Sequence, residues 1–121
     1  MRAIIAGSRN IKDLKVVEEA IRESRFVIDE VVSGGASGVD RLGEQWATRY
    51  SKPIIRFLAN WNKFGRGAGF VRNAEMARYG DVLIAIWDGK SPGTKNMIKV
   101  MQKYGKPVHV KDLSEVLSHK G

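Results

Sequence analysis

The six residues Val82 to Trp87 (VLIAIW) run without a charge and without any alternation of apolar and polar side chains. A strand wet on one face alternates, so an unbroken apolar run of this length belongs to a strand covered on both faces, as in a parallel sheet between helices. Parallel strands need a crossover of a dozen or more residues, usually a helix, and the chain supplies that spacing throughout. Met1 to Ala6 (MRAIIA) reads as a first strand. Phe26-Val27-Ile28 and Val31-Val32, interrupted by Asp29-Glu30, read as a second, Ile54 to Leu58 as a third and Pro107 to Val110 as a short fifth. Between them, Leu14, Val17, Ala20 and Ile21 share one face of a helix with Asp13 at its N-cap. Val39, Leu42, Trp46, Ala47 and Tyr50 form the apolar stripe of a second helix. Phe70 to Tyr79 reads as a short helix ended by Gly80, and Met97, Ile98, Met101 and Tyr104 as the face of another, capped by Gly105. The expected fold class is α/β: Rossmann-like, doubly wound, an about five-stranded parallel sheet with helices on both faces. One domain spanning 1–121 accommodates it, with 110–121 as a C-terminal tail in which Asp112 to Ser118 forms at most a turn or two of helix and Lys120-Gly121 frays.

In such sheets the ligand sits beyond the carboxyl ends of the strands, where the strand order reverses. Four stretches fall on that edge: Gly7-Ser8-Arg9, Ser33 to Asp40 (SGGASGVD), Trp61 to Gly69 and Asp88 to Thr94 (DGKSPGT). Strand, glycine turn and helix in succession aim backbone N–H groups and a helix dipole at one point, which is the make-up of a phosphate site. The same glycines also suit a plain strand-to-helix turn. Ala59 to Gly69 (ANWNKFGRGAG) is the longest irregular stretch, and loops of that size tend to be functional or mobile.

The charge balance, 21 Lys and Arg against 13 Asp and Glu for a net +8, favours anionic partners. The basic residues are spread along the chain, so most of them also fit a solvated surface. The chain holds no cysteine, which excludes disulfides and thiolate chemistry. His109 and His119 stand alone, so neither a metal nor another cofactor is expected. No apolar run reaches the length of a membrane span and no signal-like segment opens the sequence, so a cytoplasmic protein without membrane contact is expected. There is no GxSxG elbow and no P-loop.

Taken together, GSR after the first strand, SGGASGVD after the second, AGFVRN in the middle and DGKSPGT after the fourth resemble the SLOG superfamily of Rossmann-like proteins, and more closely its small YspA or cpYpsA-related branch of bacterial and phage proteins. The resemblance extends to about Val110. The superfamily includes the LONELY GUY phosphoribohydrolases, the DNA-processing protein A family and sensor domains for nucleotide-derived signals. Arg72 to Thr94 is similar to the phosphoribohydrolase segment running from its catalytic Arg to its glycine-rich turn. Arg72 falls on that Arg, Gly93-Thr94 on the Gly-Thr, and Met97 on the catalytic Glu. The resemblance implies nucleotide binding and pairing into a homodimer.

The expected ligand-binding residues on this edge are Gly7, Ser8, Arg9, Ser33, Gly34, Gly35, Gly38, Asp88, Ser91, Gly93 and Thr94, of which Gly34, Gly35, Gly38, Ser91, Gly93 and Thr94 would hold phosphate. Arg9 and Arg72 neutralise it. Arg72 has the alternative of pairing with Asp81 or Glu75, and Thr94 that of a simple N-cap. Asn73 either reaches a ribose or base or caps its helix, and Asp40 either reaches a ribose or answers its helix dipole. Trp61 is the better candidate for stacking on a base, Trp87 being equally suited to the core, and Trp46 lies in a core stripe. Two alternatives stand beside plain binding. In a nucleoside monophosphate N-glycosidic hydrolase the catalytic residues would be Arg72 and Asp40, with Glu44, Glu75 or Asp88 as substitutes for the missing Glu. In a single-stranded DNA-binding module the scattered basic residues would do the work.

Overall fold

The computed structural model describes residues 1–114. Its single sheet contains β1 (Arg2–Gly7), β2 (Glu30–Ser33), β3 (Ile54–Arg56), β4 (Val82–Trp87) and β5 (Val108–Asp112), all parallel, in the order β3-β2-β1-β4-β5. The Rossmann-like α/β expectation holds. The run VLIAIW is β4, covered on both faces: Val82, Ile84 and Ile86 face one core, Leu83 and Ala85 the other. Ala3 and Ile5 of β1 join the first core, Ile4 and Ala6 the second, as the two-residue period of a strand requires.

α1 (Leu14–Ser24) and α2 (Val39–Arg49) cover the first face. Asp13 caps α1 by accepting the Lys15 N–H at 3.0 Å, and Val17, Ala20 and Ile21 are buried as the periodicity demands. α4 (Ala68–Tyr79) and α5 (Pro92–Lys103) cover the second face through Met76, Ala77, Met97, Ile98 and Met101. α4 stops at Gly80, and Lys106 Nζ then donates to the carbonyls of Ala77, Arg78 and Gly80 at 2.7, 3.0 and 2.8 Å. A cation on the last carbonyls of a helix answers both their unpaired acceptors and the negative end of the dipole.

Several expected boundaries move. Phe26 to Ile28 is not strand; the chain there is irregular, Val27 is 71% exposed, Ile28 is buried in the first core and Phe26 packs half-buried against it. β3 closes at Arg56, two residues short of Leu58, because its one partner, β2, ends at Ser33, the residue paired with Arg56. The stretch read as an irregular loop is helical: α3 (Trp61–Phe64) is capped by Asn60, whose Oδ1 accepts the Lys63 N–H at 3.0 Å, and a 3₁₀ turn over Gly65–Gly67 leads into α4. Tyr50 and Tyr104, counted in helical stripes, are 48% and 42% exposed at their helix ends. Asp112 ends β5, and the expected turn of helix after it lies largely outside the described residues, as does the tail to Gly121. Among the described residues no helix is long and apolar enough to cross a membrane.

Candidate functional site

The chain leaves β1 for β2 and β3 on one side, then returns to lay β4 and β5 on the other, so the order reverses between β1 and β4. Their carboxyl ends are joined tightly. The Ser8 N–H donates to Ile86 O at 3.1 Å, and Ser8 Oγ accepts the Asp88 N–H at 3.0 Å. Asp88 in turn accepts the Lys90 and Ser91 N–H groups, each at 2.8 Å, shaping the turn that starts α5. Ser8 and Asp88 thus spend these polar groups on the frame.

The second turn is built the same way. Ser33 Oγ accepts the Gly35 N–H at 3.0 Å and donates to Glu44 at 2.7 Å. Gly38, at φ +78°, lies against the backbone of Ser8 and Arg9, locking the two turns together. Gly34 serves a different end: a Cβ there would stand 2.6 Å from Arg72 Nη1 and 2.9 Å from Asp40 Oδ2. Its missing side chain is the space through which an arginine from α4 and a carboxylate from α2 approach each other.

Arg72 donates from Nη1 to Gly34 O at 2.8 Å and from Nε to Asn73 Oδ1 at 3.1 Å, and so pairs with neither Asp81 nor Glu75. Asn73 is 5% exposed and does not cap its helix; its Nδ2 donates to Gly93 O at 3.2 Å and to Asn96 Oδ1 at 3.0 Å, tying α4 to the start of α5. In α5 the first intrahelical bond runs from Lys95 N–H to Ser91 O, which leaves the amides of Gly93 and Thr94 ahead of it at the positive end of the helix. Thr94 is 4% exposed and bonds to the Ser91 hydroxyl.

These groups enclose a narrow cleft of ≈ 90 Å³ whose walls include Arg9, Asp40, Arg72, Asn73, Gly93 and Thr94. Gly7 and Ser91 line it too. Past Arg9, Ala36 and Arg72 it opens into a space of ≈ 190 Å³ bounded by Gly34, Gly35, Leu58 and Trp61. Trp61, 56% exposed, presents its ring there, whereas Trp87 is half-buried against the second core and donates Nε1–H to Ser91 O. Ser33 and Gly38 sit behind the lining, as supports. Asn96 and Leu58 were not legible as site residues, because the first matters only through its bond to Asn73 and the second only through where the chain goes after β3.

Of the four candidate carboxylates, Asp40 alone lines the narrow cleft. Glu44 is bound by Arg56 at 2.7 Å, Glu75 is exposed on α4, and Asp88 holds its own turn. Burial pushes the Asp40 carboxyl up to about 6, against the pull of the Ala36 N–H, 3.2 Å from Oδ2, and of the nearby Arg72 charge. Burial likewise lowers the Arg72 pKa; Asp40 opposes that, and the facing charge of Arg9 adds to it. A carboxyl that ionises later in the folded state than in the unfolded chain favours folding only while protonated. Its contribution is largest below about pH 4 and declines as pH rises towards 6, at an ionisation cost of about 3 kcal/mol. Asp40→Asn is therefore expected to be about 1–2 kcal/mol more stable than the parent at pH 7.5, with that advantage gone at pH 4. Urea titrations at both pH values check this; an equal difference at both would refute the buried charge.

Residues 1–64, which carry the first two glycine turns, match the family model of the YspA, cpYpsA-related SLOG family. The chain belongs to this family. Gene 61 protein of Mycobacterium phage D29 is 35% identical to it over 116 residues, 88% of this chain and 93% of that one. No solved structure matches it. Arg72 and the α5 turn lie beyond the part matched by the SLOG family model, and the structure brings both to the edge that the matched turns form. At the position where similarity to the phosphoribohydrolases implies a catalytic Glu, Met97 is 1% exposed and packed in the second core.

Proposed function

We propose that the protein binds a nucleotide or nucleotide-derived ligand at the carboxyl edge of its sheet. Phosphate lies between Arg9 and Arg72 at the N-terminus of α5, and the base lies towards Trp61. The observation that carries this reading is the pair of guanidinium groups across the cleft. Among the described residues neither has a carboxylate within salt-bridge distance; burial is the main cause of the lowered Arg72 pKa, Asp40 opposes it, and repulsion from the Arg9 charge adds to it. An anion between them relieves that repulsion and gains charge-assisted hydrogen bonds.

A thermal-shift screen tests it. A nucleoside mono- or diphosphate, or ADP-ribose, present at about 100 times its dissociation constant is worth roughly 2.7 kcal/mol and raises the midpoint by several degrees. If no small nucleotide moves the midpoint while a short oligonucleotide does, the cleft is not the site and the basic surface is.

One observation favours a second reading, hydrolysis of the N-glycosidic bond of a nucleoside monophosphate. Asp40 is a carboxyl whose pKa burial raises to about 6, beside the proposed phosphate position, which suits a group that exchanges a proton with the substrate or its attacking water. Under that reading free base accumulates in the screened samples, and Asp40→Asn abolishes its release while the thermal shift persists.

A further inference from the structure

A groove of ≈ 670 Å³ runs beside the cleft, between α2 and the edge strand β3. Its α2 wall is Arg41, Glu44, Gln45, Thr48 and Arg49, spaced i, i+3, i+4, i+7 and i+8 on the side of the helix away from buried Val39, Leu42 and Ala47. A polar stripe on an amphipathic helix ordinarily faces water and does nothing more. Three observations set this one apart.

The first is charge. Glu44 is the sole carboxylate in the lining, and it is already engaged: the Arg56 guanidinium donates to both its oxygens, at 2.7 and 3.1 Å, and Ser33 Oγ donates to it at 2.7 Å. Arg41 and Arg49 are left without a carboxylate within 4.0 Å among the described residues. The second is connection. The Ser33 hydroxyl that holds Glu44 also accepts the Gly35 N–H, so the groove wall and the glycine turn form one hydrogen-bonded unit. The third is proximity. Gly35 and Leu58 line both the groove and the Trp61 side of the cleft, so the two spaces adjoin across this one pair of residues.

We infer that the groove is a second anionic subsite of the cleft, and that the ligand is a chain of dinucleotide length whose two phosphates are separated by a nucleoside. One phosphate lies at Arg9 and Arg72, the first nucleoside crosses Leu58 with its base against Trp61, and the next phosphate lies between Arg41 and Arg49. This rests on the reading of the cleft as a nucleotide site. A mononucleotide fills only the first subsite.

The test is equilibrium binding of AMP and of the 5′-phosphorylated dinucleotide pApA to the same protein at two salt concentrations. A second base and phosphate in place are expected to tighten pApA over AMP by about tenfold or more and to steepen its salt dependence. Arg41→Gln with Arg49→Gln, changes at exposed side chains, brings pApA down to the affinity that the unchanged protein shows for AMP. If AMP binds and pApA gains nothing, or if the double variant keeps the whole gain, the second subsite is wrong and the cleft stands. If neither ligand binds the unchanged protein, the nucleotide reading falls and this inference falls with it.

Discussion

Gly38→Ala is expected to destabilise the protein by about 4 kcal/mol, seen as a drop of more than about 10 °C in the unfolding midpoint. Two costs add. The residue holds φ +78° and ψ −129°, a conformation that side-chain-bearing residues rarely adopt. A Cβ there would also stand 2.5 Å from Ser8 O and 2.6 Å from the Cα and O of Arg9. All three contacts are backbone, so no rotamer change relieves them. The turn after β1 must shift, and with it the Ser8 bonds that join β1 to β4. Urea unfolding measures the loss directly. A loss below about 1 kcal/mol would mean that the two turns are not packed as described.

Arg72→Ala is expected to weaken binding of a nucleoside phosphate by about 100-fold, since truncating one side of a partly buried charged contact costs about 2–5 kcal/mol. Arg72→Lys keeps the charge but loses the fork that reaches Gly34 O and Asn73 Oδ1 together, and should recover only part of the affinity. Stability falls far less, by about 1–2 kcal/mol, because two hydrogen bonds are lost. Removing the positive charge also removes one of the influences that hold the Asp40 pKa down, so that carboxyl should titrate above about 6 in the variant. Calorimetry on parent and both variants separates these effects. Full binding by Arg72→Ala would take the phosphate away from this cleft.

What could be read from the sequence followed from patterns with a single physical solution. VLIAIW had to be a strand covered on both faces, and the stripes Val17-Ala20-Ile21 and Met97-Ile98-Met101 had to face the sheet. The convergence of the glycine turns on one edge then followed from parallel topology. What stayed hidden depends on contacts between residues far apart in the chain. Nothing local says that Arg72 bonds a carbonyl 38 positions earlier, or that Asn73 spends its amide on Gly93 and Asn96. Ala59 to Gly69 was misread because its glycines and asparagines look like loop formers. Asn60 instead acts as a cap, and the short helix that follows buries nothing, so no apolar period announces it. Phe26 to Ile28 failed for the opposite reason: an apolar triplet without a neighbouring strand to pair with is not a strand.

The fastening of β1 to β4 through Ser8 has a consequence for the kinetics and thermodynamics of capture. Both turns at the switch point are already held by hydrogen bonds between elements 80 residues apart in sequence, so a ligand arriving there has little backbone left to order. The entropy lost on association is then chiefly the ligand's own, together with the exposed side chain of Arg9. Such an edge should take up its ligand in one fast phase whose observed rate rises linearly with concentration, without the plateau that a slow rearrangement imposes. The amide of Asp88, donating to a serine hydroxyl that is itself almost wholly buried, should exchange with solvent as slowly as those of the central strands, whether or not the cleft is filled.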